Sequence, residues 1–163
     1  MANVMYIGDA WQHREAKTLL LEAQQAGDCV IVVTDELAQT IETGAKLEWL
    51  QADLATLEAQ GRTLDLLRQR LPLSALHYAL PAQPGPGAEA QEHFLKQGLV
   101  FPTLVINALL GLTKGDSCCM RLYASPGSCA DSAAMNAYWQ TWLGANDAAI
   151  SQRIEWVPAR SSE

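Results

Sequence analysis

The sequence predicts an α/β protein: a doubly wound, mostly parallel sheet with helices on both faces, three layers in all. Three observations carry this. Cys29 to Thr34 (CVIVVT) is an almost unbroken apolar, β-branched run, and a strand without polar alternation is buried on both faces, as in parallel sheets. Asn3 to Gly8 (NVMYIG) is a second apolar run that ends in a turn glycine. Between them, residues 10–26 place Ala16, Leu19, Leu20 and Ala23 at helical spacing, and Gly27 ends the pattern. Strand, helix and strand at this spacing form a βαβ unit.

The alternation continues along the chain. Residues 35–44 read as a short helix closed by Gly44, and Leu47 to Gln51 (LEWLQ) as a third strand. Residues 55–70 carry Leu57, Leu64 and Leu67 on a helical stretch, followed by a fourth strand from Leu73 to Leu80. Residues 81–88 (PAQPGPGA) hold three prolines and two glycines and read as a loop. Residues 89–112 are mostly helical. Pro102 breaks or kinks that helix unless it falls in the first turn of a new one. Met120 to Ala124 is a fifth strand, residues 131–145 a helix, and Arg153 to Val157 a sixth strand.

Composition narrows the function classes. Hydrophobic residues make up 49% and charged residues 18%, too apolar for a disordered chain. A length of 163 residues fits one domain. The net charge of −7 disfavours nucleic acid and anionic membrane surfaces as partners. No uninterrupted apolar run reaches the ~18 residues of a bilayer span, and Met1 to Met5 lacks the basic start and apolar core of a signal peptide. The cytoplasm is the expected compartment. The four cysteines (Cys29, Cys118, Cys119, Cys129) and the three histidines show no metal-ligand spacing, so no metal site is expected and the thiols read as free. Gly111 to Ser117 lacks the spacing of a phosphate-binding P-loop.

In open α/β sheets, ligands bind beyond the carboxyl ends of the strands. That directs attention to Gly8-Asp9, Asp35, Asp53, Pro81 to Gln83, and Ser125 to Ser128. Ser125 and Tyr138 stand thirteen positions apart. Segments in the same order, Ala26 to Val30, Leu50 to Leu54, Leu73 to Ala79, Arg121 to Gly127, Ala137-Tyr138 and Ile154 to Pro158, span nearly the whole chain. Taken together they resemble the short-chain dehydrogenase/reductase family. The resemblance implies a Rossmann-like domain over residues 1–163. It makes Ser125 and Tyr138 the remnants of a catalytic pair, and Gly8, Asp35 and Asp53 contacts to NAD or NADP. Asp35 would accept from a ribose hydroxyl and Asp53 would meet the adenine. Each has a plainer reading: Ser125 in turn chemistry (SPGS), and Asp35 as a solvated carboxylate opening a helix.

The departures from the family pattern bear on activity. Only Gly8 survives of the family's glycine-rich first turn, with Asp9 and Trp11 beside it. The family lysine that follows the tyrosine by four residues is replaced by Trp142. Tyrosine titrates near ~10 and needs a neighbouring ammonium to donate protons at neutral pH. The sequence therefore points to a protein that is non-catalytic or weakly active and serves binding or assembly. Its expected partner is a second copy, an intact reductase, or an assembly-line enzyme that such a subdomain would buttress. The alternative is an active NAD(P)-dependent oxidoreductase in which Lys114 or Arg121 replaces the lysine. A third reading is an unrelated nucleotide- or phosphate-binding α/β protein. The family reading requires a sheet whose direction of winding reverses between the first and fourth strands.

Overall fold

The computed structural model describes residues 3–12, 14–35, 47–112, 119–127, 129–145 and 152–158. Six strands alternate with helices: β1 (Asn3–Ile7), α1 (Arg14–Gln25), β2 (Cys29–Thr34), β3 (Leu47–Gln51), α2 (Leu57–Gln69), β4 (Leu73–Ala79), α3 (Ala88–Leu95), α4 (Phe101–Leu112), β5 (Cys119–Tyr123), α5 (Ala130–Ala145) and β6 (Ile154–Val157). A 3-10 turn (Gly8–Gln12) links β1 to α1, and a π-helical turn (Lys96–Val100) joins α3 to α4. The helix expected over residues 35–44 lies almost wholly outside the described residues.

The strands form one sheet in the order β3-β2-β1-β4-β5-β6, and every neighbouring pair is parallel. The winding therefore reverses between β1 and β4, the arrangement the family reading requires. Alternation of side chains across the sheet separates two cores. Met5, Ile7, Ile31, Val33, Leu76, Tyr78, Met120 and Leu122 point to the face covered by α2, α4 and α5. Val4, Tyr6, Val30, Val32 and Tyr123 point to the other, where Ala16, Leu20 and Ala23 of α1 pack. The strand runs read as two-faced in the sequence are buried on both sides, as parallel strands must be.

Pro102 falls in the first turn of α4, and the helix accommodates it through the π-helical turn. The Phe101 N–H reaches back five residues to Lys96 O. Pro102 has no N–H to give to either Gln97 O or Gly98 O. Both carbonyls are served from elsewhere: the Tyr78 hydroxyl donates to Gln97 O at 2.6 Å, and the Trp139 indole N–H to Gly98 O at 2.7 Å. Both side chains are buried, so these bonds replace helical ones where water cannot. Ala88–Gly111 is apolar and long enough to cross a bilayer by length and composition. Here Phe94, Phe101, Val105, Ile106 and Leu109 of that stretch are buried against the sheet.

Candidate functional site: the cleft at the switch point

The reversal between β1 and β4 opens a cleft of about 540 Å³ beyond the carboxyl ends of the strands. Gly8 stands beside this cleft in the chain, just before the lining residue Asp9. Its φ is +75°, and a Cβ there would lie 3.0 Å from Ala79 O, so β1 and β4 approach closely only with glycine at this position. Asp9 and Asp35 are exposed at the ends of β1 and β2, and both line the cleft. The loop 81–86 forms one wall with Pro81, Pro84 and Pro86. Helix α3 forms the other, with Glu89 in its first turn and His93 and Phe94 in its last.

Asp53 stands just outside this cleft, in a smaller hollow of about 210 Å³. Its Oδ1 accepts from the Ala55 N–H at 3.1 Å, closing a turn ahead of α2, and meets His93 Nε2 at 2.8 Å. Together with Glu89, His93 lines both hollows. Sequence reasoning missed it because the partner residue is forty positions away in the chain.

Ser125 is fully buried. Its Oγ donates to Pro81 O at 2.6 Å and lies 3.0 Å from Ser132 Oγ, which itself donates to Pro126 O. Asn136 grips the Ser125 backbone from both sides: Ser125 N–H donates to Asn136 Oδ1 at 2.7 Å, and Asn136 Nδ2 donates to Ser125 O at 3.0 Å. Ser132 and Asn136 sit four apart on α5, so one helix face clamps the end of β5. That spacing was the available signal in the sequence. Tyr138 is 46% exposed and meets Trp139 edge-on at 5.2 Å. The hydrogen bonds of Ser125 run to Pro81, Ser132 and Asn136, and none reaches Tyr138. Trp142 packs edge-on against Trp139 at 5.6 Å and joins the core margin.

The two cations weighed as replacements for the lysine fare differently. Lys114 lies outside the described residues. Arg121 belongs to the opposite face of the sheet from α5, where its Nε pairs with Glu155 at 3.0 Å and it lines a separate hollow with Tyr6 and His77. In that region His77 is 2% exposed, stacks on Tyr6 at 4.4 Å, and bonds the Tyr123 hydroxyl through Nδ1 at 2.7 Å. Burial, and secondarily the charge of Arg121, lowers the His77 pKa to about 3, so the ring is neutral. At the start of α5, Cys129 is held somewhat below the ordinary thiol range, chiefly by its hydrogen bond with the Ser132 hydroxyl. Cys29, Cys119 and Cys129 are free thiols, and no ligand set for a metal forms among the described residues.

The sheet and the cleft at its switch point define a doubly wound α/β protein, and the comparisons narrow the fold. The chain has the fold of the short-chain dehydrogenase/reductases. A short-chain dehydrogenase from Sphingobium yanoikuyae, in complex with NADPH, superposes with a TM-score of 0.74 at 18% identity, covering 98% of this chain and 71% of that one. A short-chain dehydrogenase/reductase from Burkholderia vietnamiensis gives 0.71 at 13% identity, over 99% of this chain and 85% of that one. An oxidoreductase of the same family from Brucella ovis, in complex with a partially ordered NAD, gives 0.72 at 14%, over 98% and 82%. No family model matches the sequence, and no curated protein does.

Those neighbours raise the question of whether the residues here fit a dinucleotide. Asp35 suits a ribose hydroxyl, as an exposed carboxylate on the cleft. The pyrophosphate finds no such match. It needs N–H donors and a positive field, whereas Asp9, Asp35 and Glu89 bring carboxylates and three prolines bring no N–H. No lysine or arginine lines the cleft among the described residues. The described lining does not fit the phosphates.

Proposed function

We propose that this protein is a non-catalytic relative in fold of the short-chain dehydrogenase/reductases, working by binding and assembly in the cytoplasm. The observation that carries the reading is the state of Ser125, whose hydroxyl is spent on Pro81 O inside the protein while Tyr138 stands exposed on α5. A hydroxyl that must polarise a substrate carbonyl has to be within hydrogen-bond reach of it. The tyrosine, for its part, has the uncharged indole of Trp142 four residues on rather than an ammonium.

The partner in this reading is a second copy of the chain. Leu95, Val100, Leu104 and Tyr138 are exposed on the helical layer formed by α3, α4 and α5, apolar area that association would cover. An intact reductase or an assembly-line enzyme could use the same layer.

The test has two arms. Light scattering on the purified protein should give a dimer mass that falls to the monomer on Leu104→Glu. NADH and NADPH oxidation with a panel of aldehydes and ketones should stay at the no-enzyme rate. Turnover would instead support the alternative, an altered NAD(P)-dependent oxidoreductase, which the Ser125/Tyr138 spacing and the position of Asp35 favour.

A further inference from the structure

We propose that the hollow on the other face of the sheet, between α1 and β5, binds a small apolar amino acid and holds its carboxylate and its ammonium at opposite sides. The hollow has a volume of about 410 Å³ and lies over β1, β4 and β5. It exists because of the winding. The helices that follow β3, β4 and β5 all pack on one face, where right-handed crossovers put them. Among the described residues, α1 is the only α-helix in the core of the other face. The sheet past the edge of α1 is therefore open over β4 and β5.

His77 is the anchor. It is 98% buried, yet it lines the hollow. Its Nδ1 lies 2.7 Å from the Tyr123 hydroxyl, and Tyr123 is not part of the lining. Its Nε2 has no hydrogen-bond partner among the described residues. Nor is Nε2 among the described side-chain atoms that are both sealed off and unpaired. A ring nitrogen that is unpaired, unsealed and turned away from Tyr123 faces the hollow. The fold thus leaves one polar atom of a buried side chain to be completed from outside. Stacking on Tyr6 at 4.4 Å fixes the ring plane, so that atom is held in place before anything binds.

The chemistry on either side of His77 selects the ligand. Arg121 is its register neighbour on β5 and also lines the hollow. Arg121 bonds Glu155 through Nε at 3.0 Å, and its two Nη groups make no hydrogen bond to the described residues. Unpaired N–H groups on neighbouring strands can each take one oxygen of a carboxylate. For His77 this puts the proton of the neutral ring on Nε2 and leaves Nδ1 to accept from the Tyr123 hydroxyl. On the α1 side stand Glu22 and Asp28. Glu22 is exposed and has no ion pair among the described residues. These carboxylates repel a plain organic acid and attract an ammonium, so a compound that carries both charges suits both sides. Between them Val4, Leu19, Ala23 and Ala75 offer apolar surface to an aliphatic side chain.

An NMR titration of the whole chain with L-leucine tests the inference. Leucine at up to about 10 mM, above a dissociation constant of ~1 mM, should shift the amides of Ala23, Ala75, His77 and Arg121 together. Long-range proton–nitrogen spectra of the complex should place the His77 proton on Nε2. Isocaproate, which is leucine without its ammonium, and isopentylamine, which is leucine without its carboxylate, should each bind roughly tenfold more weakly or worse. Arg121→Gln and Glu22→Gln change side chains that reach solvent, so both variants should fold, and together they should weaken leucine by at least roughly tenfold. Arg68→Gln with Glu58→Gln, the same exchanges on exposed α2, should leave binding nearly unchanged. Absence of shifts at the four amides, a His77 proton on Nδ1 in the complex, isocaproate binding as well as leucine, or equal loss in the α2 control would each overturn the proposal. The proposal does not rest on the assembly reading, which turns on mass and turnover rather than on occupancy of this hollow.

Discussion

The indole N–H of Trp139 on α5 donates to Gly98 O in the π-helical turn at 2.7 Å, to a carbonyl for which Pro102 has no N–H. A residue late in the chain thus completes a helix that an earlier proline interrupts, and α5 is fastened to α4 at a buried point. Trp139→Phe keeps most of the aromatic bulk and removes the donor. The carbonyl left behind is shielded from water, so the variant should lose about 1–3 kcal/mol. Urea denaturation followed by far-UV circular dichroism would read this as a lower midpoint at unchanged slope.

Gly98 is also a point of contact in its own right. A Cβ added there would overlap the Met135 side chain, with Pro81 Cδ close behind at 3.3 Å. Gly98→Ala should therefore destabilise by roughly 1–3 kcal/mol through overpacking, although alanine is the better helix former. Shortening the opposing side chain tests the cause. Met135→Ala alone opens a cavity and costs stability, but in the Gly98→Ala background its cost should shrink, giving a favourable coupling energy in a double-mutant cycle of thermal midpoints.

The buried imidazole on the other face of the sheet makes an acid-sensitive contribution. His77 has a folded pKa of about 3 against about 6.5 in the unfolded chain. Between those values the unfolded state binds a proton that the folded state does not, so stability rises with pH across this window. As pH falls from 6.5 to 4.5 this one group should remove roughly 2–3 kcal/mol, and above 6.5 it should contribute nothing further. His77→Phe abolishes the titration while keeping a flat ring against Tyr6. It also removes the hydrogen bond between His77 Nδ1 and the Tyr123 hydroxyl, so its stability at neutral pH should drop. The comparison is the slope of unfolding free energy against pH, which should be shallower for the variant by about 1.4 kcal/mol per pH unit inside that window.

Much of this architecture was legible because it depends on local pattern. CVIVVT and NVMYI can only be two-faced strands, and the alternation of such runs with Leu/Ala helical stretches fixes a parallel sheet. Pro102 was readable as an interruption, but the carbonyls it leaves to Tyr78 and Trp139 were not, since those donors come from β4 and α5. Gly8, Asp35 and Asp53 were placed near strand ends correctly by topology alone. Which way a side chain turns there depends on neighbours: Asp53 is drawn to His93, and Ser125 is folded back on Pro81. The PAQPGPG segment read as punctuation, and its place as a wall of the cleft emerged only once the sheet set it beside Asp9, Asp35 and Glu89.

Ser125 and Tyr138 can be separated by what their loss should do. The Ser125 hydroxyl joins the wall of the cleft to α5 through Pro81 O and Ser132 Oγ, entirely out of water. Ser125→Ala leaves Pro81 O without that donor and should cost about 1–3 kcal/mol. Asn136→Ala, which deprives the same residue of its two backbone partners, should cost at least as much. Tyr138→Phe removes a hydroxyl from a side chain that is nearly half exposed and should move the thermal midpoint by little more than its error. A catalytic pair behaves otherwise, with both substitutions abolishing turnover and neither needing to affect stability much. Measuring thermal midpoints and NAD(P)H oxidation on the same three variants therefore distinguishes a buried clamp from a reaction centre. A large midpoint loss for Ser125→Ala and Asn136→Ala, none for Tyr138→Phe, and no turnover in any of them including the parent is the outcome expected here.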